Sequence, residues 1–159
     1  SIADLYQKFF ELKRRVVLAG GGGGAPAATV DRLAFVYLPG DVALPASSTV
    51  FLAPTGINAV EDLSNISVPR AMTIVVLVVN VPSSTAAAAV TFTLRRSASC
   101  NGAFTATSIV VTVPAGATGC FTATGSVSFA INDRFSLEYS NPGAGSPRAT
   151  ATLLANVTP

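Results

Sequence analysis

The chain contains no histidine and no tryptophan, and only two cysteines. Without histidine it lacks the usual general base near neutral pH and the commonest metal ligand. Ser-His-Asp and Cys-His catalysis are therefore excluded, and so are most zinc sites. Charge is scarce too: 11% of residues are Asp, Glu, Lys or Arg, against roughly a quarter in ordinary globular chains. Ten basic and eight acidic residues leave a net charge of +2, too weak for a nucleic-acid footprint. The acids are Asp4, Glu11, Asp31, Asp41, Glu61, Asp62, Asp133 and Glu138, and only Glu61 and Asp62 are adjacent. Such a set points away from an enzyme. No cofactor is expected.

Long apolar runs are also missing. The most apolar stretch, "TIVVLVVNVP", is about half the length of a membrane helix, so no membrane span is expected. The opening "SIADLYQKFFELKRRVV" puts acids early and bases late, the reverse of a secretory signal. Half of the 159 residues are nonetheless hydrophobic, enough for one domain with a substantial core. So much apolar surface with so little charge suits a chain partly covered by other subunits.

Three parts are expected. Residues 1–19 read as an amphipathic helix, with Ile2, Leu5, Phe9, Leu12 and Val16 on one stripe. Lys13, Arg14 and Arg15 fall in its last turns, where positive charge suits the helix dipole. A helix this short needs a burial site for its stripe. Residues 20–29, "GGGGGAPAAT", form a Gly/Ala-rich linker. The run lacks the Gly-Lys-Ser/Thr ending of a phosphate loop. The linker frees the helix to dock somewhere other than its own domain, so the stripe is the expected partner-binding element.

Residues 30–159 read as one β domain. "DRLAFVYL" sends Leu33, Phe35 and Tyr37 to one face, and "AVTFTLRR" does the same with Val90, Phe92 and Leu94. "SIVVTVPAG" aligns Ile109, Val111 and Val113 before a turn. "SVSFAINDRFSLEYSNPG" gives Val127, Phe129 and Ile131 inward, a turn at Asn132-Asp133, then Phe135, Leu137 and Tyr139 inward. "MTIVVLVVN" is apolar on both faces, as a strand covered on both sides is. Short strands at roughly ten-residue spacing predict a single jelly-roll β-sandwich, mainly β apart from the helix.

Smaller features have modest expectations. Arg95-Arg96 read as solvated loop charges. Asp41, Glu61, Asp62 and Asp133 have no EF-hand spacing, so no metal is expected. "NIS" at Asn65 and "NVT" at Asn156 match the glycosylation pattern, which matters only in a secreted chain. Cys100 and Cys120 bracket 21 residues, positions 100 to 120, between the near-copies "CNGAFTAT" and "GCFTATGS". Three states fit: an intrachain disulfide worth about 3 kcal/mol, two free thiols, or a bridge between subunits.

From Val90 to Arg95, through Asn101-Gly102, Val111 to Gly116, Gly119 to Thr124 and Asn132 to Leu137, the pattern resembles a broad group of phage and bacterial surface jelly rolls. The trimeric, tumour-necrosis-factor-like heads of spore-surface proteins are similar in style. The resemblance implies a homo-oligomer, a trimer above all, displayed on a surface, and brings over no catalytic residue. No collagen-like tract precedes the domain here. The helix and glycine run look more like a virion accessory protein: a capsid decoration, head-fibre or tail-fibre subunit on the virion surface. A filament subunit on a bacterial cell or spore surface is the alternative. A carbohydrate-binding module is a third, with Tyr6, Tyr37 and Tyr139 as its aromatics.

Overall fold

The computed structural model describes residues 31–37, 43–54 and 56–157. The expected helix 1–19 and linker 20–29 lie outside the described residues. The rest is built from ten strands: β1 (Asp31–Tyr37), β2 (Ser48–Ala53), β3 (Gly56–Asn58), β4 (Ile66–Ser67), β5 (Met72–Ser84), β6 (Val90–Ser97), β7 (Thr105–Val113), β8 (Gly119–Phe129), β9 (Arg134–Asn141) and β10 (Pro147–Val157). A 3-10 turn, Glu61–Leu63, joins β3 to β4.

These segments become strands because Val, Ile, Thr and Phe alternate along them, and branched or aromatic side chains fit a pleated, half-buried surface. One sheet has the order β1-β10-β5-β8; the other runs β3-β2-β9-β6-β7, with β4 also on β9. Every pairing is antiparallel. The chain passes repeatedly from one sheet to the other, which winds it into a jelly roll.

The inward rows carry the core. On one side Leu33, Ala155, Ile74 and Val127 stand abreast across four strands, as do Phe35, Leu153, Leu77 and Ala123. On the other, Leu52, Leu137 and Leu94 align, next to Val50, Tyr139 and Phe92. The sheets interlock through aromatic rings: Phe35 meets Phe135 edge-on at 5.0 Å and Phe129 meets Phe135 at 5.6 Å. The expected inward triplets of β6, β7 and β9 all lie in this core.

Ile131 does not. β8 ends at Phe129, and Asn132 takes a left-handed φ of 69° to turn the chain, which leaves Ile131 61% exposed. Alternation carried past the strand end put it inside. The corners also need glycine in two places. At Gly145 φ is +78°, and a Cβ would meet the Thr85 carbonyl oxygen at 1.9 Å. At Gly125, where β8 crosses β7, a Cβ would lie 2.8 Å from Ile109 Cγ1.

The register defines two ends. At the lower end lie Asp31, Met72, Phe129 and Val157, paired across one sheet, with Ser97 and Arg134 across the other. At the upper end lie Tyr37, Val81, Gly119 and Pro147, with Ser48, Val90, Val113 and Asn141. Asp31, the first described residue, therefore stands at the lower end.

Candidate functional site

The charges gather on the outer side of the six-stranded sheet and at the lower end. Arg95 and Arg96 belong to β6 and are partnered, which corrects the expectation of solvated loop charges. Arg95 Nε donates to Glu61 Oε1 at 2.7 Å, Nη1 to Glu138 Oε2 at 2.8 Å and Nη2 to the Phe104 carbonyl at 3.1 Å. Its guanidinium also stacks on Phe51, 5.9 Å from the ring centroid. Glu61 accepts a further bond from Ser136 Oγ. One planar cation thus spans two carboxylates that stand on separate strands and turns, a task suited to arginine's fork of donors.

Two more arginines tie the lower end together. Arg96 holds Asp133 Oδ2 through Nε at 3.0 Å and Nη2 at 2.7 Å, and the same oxygen accepts the Ala130 amide at 3.0 Å. Asp133 is 4% exposed, so its charge is neutralised in place. Arg134 bonds Asp62 at 3.0 Å and the carbonyls of Ser99 and Gly102 at 3.3 and 3.0 Å, and stacks on Phe104 at 4.7 Å. An open cleft beside it is lined by Asp62, Cys100, Asn101, Gly102, Ala103 and Arg134. Glu61, Asp62 and Asp133, considered above as cation ligands, are all engaged by arginine. Among the described residues no group of three metal-binding side chains comes together.

Both cysteines are exposed free thiols. Cys100 follows β6 at the lower end, and Cys120 pairs with Asn80 near the upper end of the other sheet. Nine residues of β7 run between these ends, about 30 Å at strand rise. That span is too long for an intrachain Cys100–Cys120 bridge, one of the three states open from the sequence, because bridged Cα atoms lie within about 7 Å. Of the three tyrosines considered for a sugar platform, Tyr37 and Tyr139 are fully buried, and Tyr6 lies outside the described residues.

The outer face of the four-stranded sheet has the opposite character. Three rows cross it: Val36, Thr152, Val78 and Thr122; Ala34, Leu154, Val76 and Thr124; and Thr150, Asn80 and Cys120. None of these side chains is charged. The sheet's charges sit at its margins, Asp31 and Arg32 below and Arg148 above. The second apolar face of β5, expected to be covered, is here: Val76 and Val78 are half-buried, and Val36 is 52% exposed. Composition alone did not locate this face. The uncharged outward positions of β5 (Val76, Val78, Asn80) and β10 (Thr150, Thr152, Leu154) held the signal.

Comparison with solved structures places two jelly rolls beside this chain. One is the structure of Eiger TNF from S. frugiperda, 10% identical over 80% of this chain and 93% of that one, with a TM-score of 0.50. The other is PRD1 vertex protein P5, 14% identical over 84% of this chain and 100% of that one, with a TM-score of 0.52. No family model matches the sequence, and no curated protein matches it. At these identities the likeness establishes the fold: a jelly-roll module of the kind found in virion and tumour-necrosis-factor-like heads. Among the described residues no helix is long and apolar enough to cross a membrane.

Proposed function

We propose that the chain is a non-enzymatic structural subunit of a virion surface, a capsid decoration, head-fibre or tail-fibre protein that associates as a homotrimer. The uncharged outer face of the four-stranded sheet carries this reading. Around a threefold axis the side chains nearest the axis meet their own copies, where any charge is repelled by its image, and an uncharged face is buried there without that cost. Val36, Val76, Val78 and Leu154 supply apolar area there, and the threonines between them supply hydroxyls that pair across a contact. The charged six-stranded face stays outside. The fold likeness to a protein described as a vertex protein, along that chain's whole length, supports a virion setting. The stripe Ile2, Leu5, Phe9, Leu12 and Val16 serves as the anchor to the capsid or tail, tethered to the lower end.

Light scattering on the full chain tests the assembly. The expected mass is three times 16.1 kDa. Val78→Glu puts a carboxylate into the contact and is expected to give folded monomers, whereas Thr91→Glu, on the opposite face, leaves the oligomer intact. A monomeric full chain, or an oligomer indifferent to Val78→Glu, overturns the proposal. Removing residues 1–24 separates the two roles: oligomerisation persists and attachment to particles is lost.

One observation favours the bacterial filament as a second reading. The free thiols stand at opposite ends of the domain, a placement suited to head-to-tail bridging. A ladder on non-reducing electrophoresis supports it; a single chain-mass band removes it.

A further inference from the structure

The loop between β6 and β7 holds a chemical feature that the assembly role leaves unused. Seven asparagines occur in the chain, and only Asn101 precedes a glycine. An asparagine side chain can be attacked by the backbone nitrogen of the next residue, and glycine, without Cβ, hinders that attack least. Folding decides whether the attack is possible, and here it favours Asn101 over its rivals. Asn101 is exposed in the turn and its amide is held by no hydrogen bond among the described residues. The Gly102 N–H makes only a long contact, 3.4 Å to the Ser99 carbonyl. The Gly102 carbonyl, one peptide beyond the attacking nitrogen, accepts from Ser97 Oγ at 2.8 Å and Arg134 Nη2 at 3.0 Å, which holds a guanidinium in the same turn. A nearby cation favours the deprotonated amide that must form. The open cleft admits the water needed afterwards.

The other asparagines are restrained. Asn141 is 1% exposed, precedes Pro142, which has no N–H, and is bonded to Gly145 and Gly143. Asn58 and Asn65 donate to Ser64 Oγ and the Asp62 carbonyl. Asn80 and Asn156 are paired within strands and precede Val81 and Val157, whose β-branching blocks the approach. Asn132 precedes Asp133, whose N–H is bonded to the Ala130 carbonyl at 3.2 Å.

We infer that Asn101-Gly102 is a site of spontaneous deamidation in the folded protein. The Gly102 nitrogen loses its proton and bonds to Asn101 Cγ. The Cγ–Nδ2 bond breaks and ammonia leaves with that proton, which closes a five-membered imide. Water then opens either imide carbonyl, giving an aspartyl or an isoaspartyl residue at position 101. The sum is one amide and one water converted to one carboxylic acid and one ammonia, with no oxidant or reductant. The new carboxylate faces Arg134 and competes with Asp62, and the isoaspartyl form adds a backbone carbon to the turn.

The full chain is aged at mildly alkaline pH and body temperature, then digested and mapped by mass spectrometry, with isoaspartyl groups labelled by isoaspartyl methyltransferase. The expected result is a gain of one mass unit and an isoaspartyl label, both confined to the peptide containing position 101, with one ammonia released per chain. Asn101→Gln, whose longer side chain closes this ring poorly, abolishes both. Gly102→Ala is a poor control, because its Cβ would lie 2.6 Å from Ser99 Oγ. The same ageing in urea supplies the comparison. If the folded chain deamidates at position 101 many-fold more slowly than the unfolded one, the turn protects the site and the inference is wrong. It is also wrong if another asparagine reacts first. Neither outcome touches the assembly proposal.

Discussion

Replacing Arg95 by alanine is expected to cost the domain about 3 kcal/mol, a large share of a typical folding free energy. The figure follows from what the side chain holds. Arg95, Glu61 and Glu138 have side-chain exposures of 22%, 15% and 20%, so water screens them less than a surface pair. Two charge-assisted hydrogen bonds and one to a carbonyl are lost, each worth about 1–3 kcal/mol alone but not additive. The remaining carboxylates then face each other with no cation between them, and only Glu61 keeps a donor, Ser136. Arg95→Lys is expected to lose about half as much, since an ammonium cannot fork to both carboxylates and the Phe104 carbonyl. Adding Glu61→Gln and Glu138→Gln to Arg95→Ala should recover part of the loss by removing the repulsion. Urea unfolding of the wild type and the three variants, followed by far-UV circular dichroism at one fixed protein concentration so that any association counts equally, gives the differences. A cost below about 0.5 kcal/mol for Arg95→Ala would class the cluster with solvated surface pairs and refute the reasoning, as would no recovery in the triple variant.

Two further substitutions probe the core and its corners. Gly145→Ala forces a left-handed residue to carry a Cβ against the Thr85 carbonyl, and a loss of about 3 kcal/mol or more is expected in thermal melts; a loss under 1 kcal/mol would mean the upper loops yield easily. Tyr37 buries its hydroxyl without a partner among the described residues, so Tyr37→Phe is expected to be neutral or to stabilise by about 1 kcal/mol. Burial raises the pKa of both Tyr37 and Tyr139 above the ordinary 10.0. Between the ordinary value and each raised folded value the unfolded chain releases its proton first, so stability, complete at lower pH, falls there by up to about 1.4 kcal/mol per pH unit for each tyrosine. Tyr37→Phe should remove one such share, and an unchanged alkaline slope would show that Tyr37 ionises in the folded state.

Much of the fold was legible because alternation is a local property. Val90, Phe92 and Leu94, or Phe135, Leu137 and Tyr139, declare their inward face within six residues. What escaped was set by distant partners. Arg95 looks like a loop charge until Glu61, 34 positions earlier, and Glu138, 43 positions later, are brought onto its strand. Cys100 and Cys120 look bridgeable by loop length, because the sequence shows the strand between them but not that they stand at its opposite ends. Ile131 continues an alternation that a left-handed Asn132 has already ended. The uncharged face lay in plain view in β5 and β10, yet its rows assemble only when β1 pairs with β10 and β8 with β5, partners that are distant in the chain.

The scarcity of charge takes on a different meaning once its location is known. Averaged over a monomer's surface, 11% charged residues is too few for comfort in water. The charges are not averaged: the four-stranded face holds none in its three central rows, and the described upper loops, 43–47, 85–89, 114–118 and 142–146, hold none either. Glu61, Asp62, Arg95, Asp133, Arg134 and Glu138 crowd the six-stranded face and the lower end. Covering the four-stranded face with two copies of the chain removes the charge-poor half from water and leaves the charge-bearing half to face it. Val78→Glu therefore probes more than one contact. If that variant stays trimeric, the charge-poor face is wet in the assembled protein, and the composition must be explained by some other covering.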